Sequence, residues 1–106
     1  VIFKKKYKKN VNINILQNLA GVYYQLQQWK NSAQSYKELF TLSPQTKKRY
    51  HDFYIQALVN GHAYKTAYIE LLQYSKENPN NLSLKKQLKK LNIVIGYGPI
   101  YRFLYI

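Results

Sequence analysis

Histidine is the side chain most often used to move protons or hold a metal near neutral pH, and this 106-residue chain has two, His51 and His62. Their spacing fits no metal-ligand pattern, and the four carboxylates, Glu38, Asp52, Glu70 and Glu77, are scattered rather than paired. His51 and Asp52 are adjacent in sequence, but adjacent residues of a helix point in different directions, so they do not read as an acid/base pair. His62, next to Gly61, reads as a loop residue. The chain has no cysteine, which excludes disulfides, thiolate metal sites and cysteine nucleophiles. Gly96-Tyr97-Gly98-Pro99 is not a phosphate loop, because no Lys and Ser or Thr follow it and no strand precedes it. The residues therefore predict a non-enzyme with no metal site and no cofactor.

Binding chemistry is better represented. The chain carries 17 basic and 4 acidic side chains, a formal charge of +13, which attracts nucleic acid, anionic surfaces or acidic protein segments. Lys85, Lys86, Lys89 and Lys90 recur on adjacent helical turns as a basic patch able to neutralise phosphates, and Lys47, Lys48 and Arg49 form a second basic spot. The plain alternative is that these are solvated surface charges, and that the A/T-rich codons of Lys, Asn, Ile, Tyr and Phe explain the excess. The tyrosines follow helical core spacing and do not add an exposed stacking platform to the lysines.

The elements that must position these residues follow from periodicity. Ile15 or Leu16, Leu19, Val22, Tyr23 and Leu26 fall at spacings of three and four, which predicts one buried helical stripe from about Ile13, with Asn12 or Asn14 as its cap. After a break at 27–31, Trp29, Ala33, Tyr36, Leu39, Phe40 and Leu42 predict a second helix, stopped by Ser43-Pro44. Tyr50, Phe53, Tyr54, Ala57 and Leu58 predict a third, closed at Asn60-Gly61 by a left-handed cap. Tyr64, Ala67, Tyr68, Leu71, Leu72 and Ser75 predict a fourth, ended at 77–81, and Leu84, Leu88, Leu91 and Ile95 a fifth. No segment alternates with period two, so the fold class is all-α, built of antiparallel helix hairpins.

Once the hairpins are placed, the block 16–44 resembles the tetratricopeptide repeat, a 34-residue pair of antiparallel helices. With Pro44 as the closing proline, Leu16 stands where the family often has Trp, Leu19 at its Leu, Ala20 at its small residue and Tyr23 at its Tyr. In the second helix Trp29 and Tyr36 stand at usual aromatics, and Ser32 and Leu39 at usual alanines. Pro79 closes a second unit, with Tyr54, Leu58, Gly61, Tyr64, Ala67 and Leu71 in register and Ile55 in place of a small residue. A partial third unit starts near Leu82, with Leu88 and Gly96 in register and Lys89 where a small residue is expected.

The resemblance implies a stacked α-solenoid over 13–95; the basic segment 1–12, a like-charged run that repels itself, reads as frayed or as the stub of a preceding helix. The apolar segment 96–106 is then either a cap on the fifth helix or the start of a further one. It also implies a non-catalytic scaffold whose concave groove, lined by the first helix of each hairpin, binds a peptide segment or helix of another protein, with an acidic one favoured by the charge. The lining would be Asn14, Gln17, Asn18, Gly21, Tyr24 and Gln25 from one helix and Arg49, Asp52, Gln56 and Asn60 from the next. Gln17 and Gly21 occupy places where the carboxylate-clamping members use Lys and Asn, which argues against that role. By the same resemblance Tyr23, Trp29 and Tyr36 are core residues. Nucleic acid ranks second as partner, through the basic patch. No membrane span or leader is visible in the sequence; the compartment is left open, the cytoplasm being the default. The start at Val1 and the lack of Met suggest a piece of a longer repeat chain.

Overall fold

The computed structural model describes residues 2–94, and side chains over 12–91. Five α-helices and a short 3-10 turn make up this range: α1 (Ile2–Gln25), α2 (Trp29–Leu42), the turn Pro44–Thr46, α3 (Lys47–Asn60), α4 (Tyr64–Glu77) and α5 (Leu82–Val94). There is no strand among the described residues, so the all-α expectation holds. No helix among them is long and apolar enough to cross a membrane. The expected cap or further helix at 96–106 lies outside the described residues.

The element ends repeat. α1 and α3 end at Gln25 and Asn60, α2 and α4 start at Trp29 and Tyr64 and end at Leu42 and Glu77, and α3 and α5 start at Lys47 and Leu82. Each pair is 35 residues apart, as are Pro44 and Pro79. The backbone repeats with them. Gln27 has φ 60° and His62 φ 64°, and they are followed by Gln28 (φ −88°, ψ 75°) and Ala63 (φ −89°, ψ 57°), each one residue before a helix. Ser43 (φ −142°, ψ 82°) and Asn78 (φ −131°, ψ 66°) then end those helices in the same conformation.

Three expectations are corrected. α1 does not begin near Ile13; it runs from Ile2 through the lysine run, and Asn12 and Asn14 lie inside it. Lysine is a good helix former, and like charges four residues apart cost only about 0.2–0.5 kcal/mol per pair, so nothing in 4–9 breaks the helix. Gly61 is not a left-handed cap. Its φ is −84°, and the left-handed residue is His62, one position later. The glycine answers to space: a Cβ on it would lie 3.2 Å from the Ala57 carbonyl oxygen and 3.2 Å from Trp29 Cβ. The predicted buried stripe of α1 is the third correction, because Ile15, Leu19, Val22 and Leu26 are exposed and, of the stripe, only Leu16 and Tyr23 turn inward, beside the buried Ala20. The spacing identified one face correctly, but no described helix packs on that face.

The chain divides into two compact units, 1–61 and 62–106. In the first, α2 packs on α1 and on α3. Ala20 and Ser32 are both fully buried, and the Ser32 hydroxyl donates to the Ala20 carbonyl at 2.9 Å. Two small side chains thus let the backbones of α1 and α2 approach within a single hydrogen bond. The rest of this core is aromatic. Tyr36 lies 5.8 Å from Tyr50 and 6.4 Å from Phe53 between ring centres, Phe40 meets Tyr54 edge-on at 5.5 Å, and Leu39 is fully buried. Of the three aromatics expected in the core, Tyr36 is buried, while Tyr23 and Trp29 are half-buried. Ile55, the large residue at a small-residue position, is accommodated and buried.

In the second unit α4 packs on α5. Ala67, Tyr68, Leu71 and Ser75 of α4 and Leu84 and Leu91 of α5 are buried. Asn81 caps α5, its Oδ1 accepting the Ser83 N–H at 3.1 Å and so satisfying one of the free donors of the first turn.

Candidate interaction groove

Asn14, Gln17, Asn18, Gly21 and Gln25 recur at steps that keep them on one face of α1, and Arg49, Asp52, Phe53, Gln56 and Asn60 occupy the same five places one period later on α3. The α1 set is exposed at Asn14, Asn18 and Gln25 and half-buried at Gln17 and Gly21; the α3 set is exposed except at Asn60, which is half-buried. The two faces meet at one aromatic contact, Tyr24 with Phe53, edge to face at 5.4 Å between centres.

This contact revises two assignments. Tyr24, expected as a partner contact, is half-buried, and its ring also packs edge-on against Trp29 at 5.2 Å, so it is a packing residue where α1, α2 and α3 meet. Phe53, expected in the core, is 46% exposed and lies on the groove face. The sequence did contain that signal: Phe53 is one period after Asn18, a position already read as polar lining. Helical spacing marks an apolar residue for burial without showing which face a neighbouring helix covers.

Gly21 sits inside α1 with nothing within 4 Å of where a Cβ would be. A helix-interior glycine costs about 0.5–1 kcal/mol relative to alanine, and here no neighbour requires it. The other lining groups are mostly neutral amides, which both donate and accept hydrogen bonds. Gln56 Nε2 donates to Asn60 Oδ1 at 2.9 Å, orienting that pair along α3. Arg49 stacks its guanidinium over the neighbouring Tyr50 ring at 5.9 Å.

Burial beneath the groove shifts one titratable group. Tyr36 is held above the ordinary phenol value of 10.0, first by desolvation and then by the neighbouring phenols of Tyr50 and Tyr24. The folded chain thus keeps this proton at a pH where the unfolded chain releases it. The stabilisation is complete below about pH 10 and is lost as pH rises through the higher folded value. Tyr36→Phe should flatten the loss of stability measured by urea melts between about pH 9 and pH 11; an unchanged slope would place the alkaline sensitivity in other groups.

The basic patch lies elsewhere, in the second unit. Lys85, Lys86, Lys89 and Lys90 are all exposed on α5, and none forms an ion pair among the described residues. His51 is buried, with Phe40 stacked at 6.2 Å and Tyr54 edge-on at 5.9 Å, whereas Asp52 is exposed. His62 is exposed in its turn, with Nδ1 2.8 Å from the Tyr64 hydroxyl. No cluster of three or more His, Asp or Glu able to hold a metal occurs among the described residues.

Among the described residues these features define an all-helical chain whose element ends repeat every 35 residues, with exposed, mostly uncharged side chains on α1 and α3 and exposed lysines on α5. Comparison with known protein families, with curated proteins and with solved structures finds no match.

Proposed function

We propose that the chain is a non-catalytic interaction module of tetratricopeptide-like hairpins that holds a peptide segment or helix of another protein across α1 and α3. The observation that carries this reading is the repetition of one face at one period. Residues at 14, 17, 18, 21 and 25 are matched in register by 49, 52, 53, 56 and 60, joined by the Tyr24–Phe53 contact and open beside Gly21. Amides at regular spacing suit the N–H and C=O groups of a peptide backbone, and the half-exposed Phe53 offers an apolar step for one of its side chains.

Peptides selected on the full chain from a random library test the reading. Phe53→Ala with Gln56→Ala should weaken their binding tenfold or more at unchanged helicity, and unaltered binding would count against the groove. Tyr24 is a poorer choice for substitution, since its loss would also remove packing against Trp29. Binding through this face should survive about 0.5 M salt, because few charges line it.

A second reading rests on the four exposed lysines of α5, whose ammonium groups are free to neutralise the phosphates of nucleic acid. The same salt step separates the two, since phosphate binding falls steeply with salt. Oligonucleotide retention unchanged by replacing Lys85, Lys86, Lys89 and Lys90 with Gln would rule this reading out.

A further inference from the structure

α1 and α3 carry one face at matching places 35 residues apart; α2 covers it on α3, and on α1 it is uncovered. On α3 the face is Tyr50, Tyr54, Ala57 and Gly61, and α2 fills it: Tyr36 lies 5.8 Å from Tyr50 between ring centres, Phe40 5.5 Å from Tyr54, and Trp29 Cβ 3.2 Å from where a Gly61 Cβ would be. α5 keeps its own register: its buried or half-buried side is Leu84, Leu88 and Leu91, one position before the places 35 residues after Tyr50, Tyr54 and Ala57, in the unit where α4 packs on α5. One period before the α3 set stand Ile15, Leu19, Val22 and Leu26 of α1. They are 47%, 37%, 49% and 60% exposed. At 100° per residue the stripe is centred about 110° round α1 from the groove set and borders it where Val22 follows Asn18 by four residues.

We propose that the stripe Ile15, Leu19, Val22 and Leu26 docks a helix of a partner protein that presents an apolar seam flanked by acidic residues. The occupant is helical on two grounds. The counterpart of this face on α3 is covered by a helix, α2, and spacings of four, three and four keep the stripe straight for about three turns, as in a coiled-coil seam. Charge selects the flanks. α1 contains no acidic residue and carries Lys4, Lys5, Lys6, Lys8 and Lys9, in a chain of +13. A second copy brings the same charge and the same lysines, which oppose pairing. The stripe is also small, on the order of 400 Å², about half of the roughly 800 Å² per partner typical of a stable complex. The geometry thus points to a transient dock steered by opposite charge.

The test uses the full chain and three labelled synthetic helices of three heptads, read by fluorescence anisotropy. One has a Leu seam with Glu flanks, one a Leu seam with Lys flanks, and one a Ser seam with Glu flanks. The Glu-flanked Leu helix should bind at least tenfold tighter than either control. Leu19→Ser with Val22→Ser should abolish the difference, while Phe53→Ala with Gln56→Ala, on the groove face, should leave it intact. Should the Leu19/Val22 variant lose helicity, Leu26→Ser, at the most exposed position, should still weaken binding several-fold. The proposal is overturned if the Lys-flanked helix binds as well, or if only the groove variant loses binding. A concentration-dependent dimer in sedimentation, dissolved by the stripe substitutions, would likewise overturn it by making a second copy the occupant.

Discussion

Tyr54→Ala is expected to destabilise the protein by about 3–5 kcal/mol, the range for removing a large buried aromatic. Tyr54 is 2% exposed, the largest of the fully buried side chains, and its ring is met by Phe40 at 5.5 Å and His51 at 5.9 Å. Those neighbours are flat and stand on two helices, so they cannot collapse into the space the ring leaves, and the cavity persists. Typical domains are stable by about 5–15 kcal/mol, so a large share of the total is at stake. Urea unfolding followed by far-ultraviolet circular dichroism checks it: the midpoint should fall by more than about 1 M with little change in slope. A shift corresponding to under about 1 kcal/mol would mean that the α2–α3 layer is not packed as described.

Leu71→Ala tests the second unit in the same way. Leu71 is fully buried on α4 and stands 35 residues after Tyr36 of α2, so matching places on two helices are filled by side chains of different size. Its truncation should cost about 2–5 kcal/mol. Leu71→Met, close in volume, should cost less than about 1.5 kcal/mol. Thermal melts of the pair give the contrast; equal losses would point to shape rather than lost volume as the determinant.

Much of the fold was legible before any coordinates. Pro44 and Pro79 set the period, and the spacing of Tyr36, Leu39, Leu71 and Leu84 placed the buried sides of α2, α4 and α5. The turns were less legible, because the left-handed positions are taken by Gln27, whose type does not advertise that conformation, and by His62, whose type favours it only weakly beside the glycine that precedes it. Glycine was read at Gly61 as a backbone signal, when its reason is the closeness of Trp29. The groove positions followed from register on α1, but Phe53 was missed, because hydrophobicity says that a residue prefers burial and not whether a neighbour is there to bury it. The same limit explains Ile15, Leu19, Val22 and Leu26: periodicity describes one helix, and the covering of a face belongs to two.

The packing order has a kinetic consequence. α1 packs on α2, α2 on α3 and α4 on α5, each a sequence neighbour across a connection of a few residues. The chain therefore never has to close a long loop before its contacts begin to form, and its low contact order favours folding in microseconds to milliseconds. Helix formation can start in either unit, and within each described unit the packed helices are neighbours in sequence.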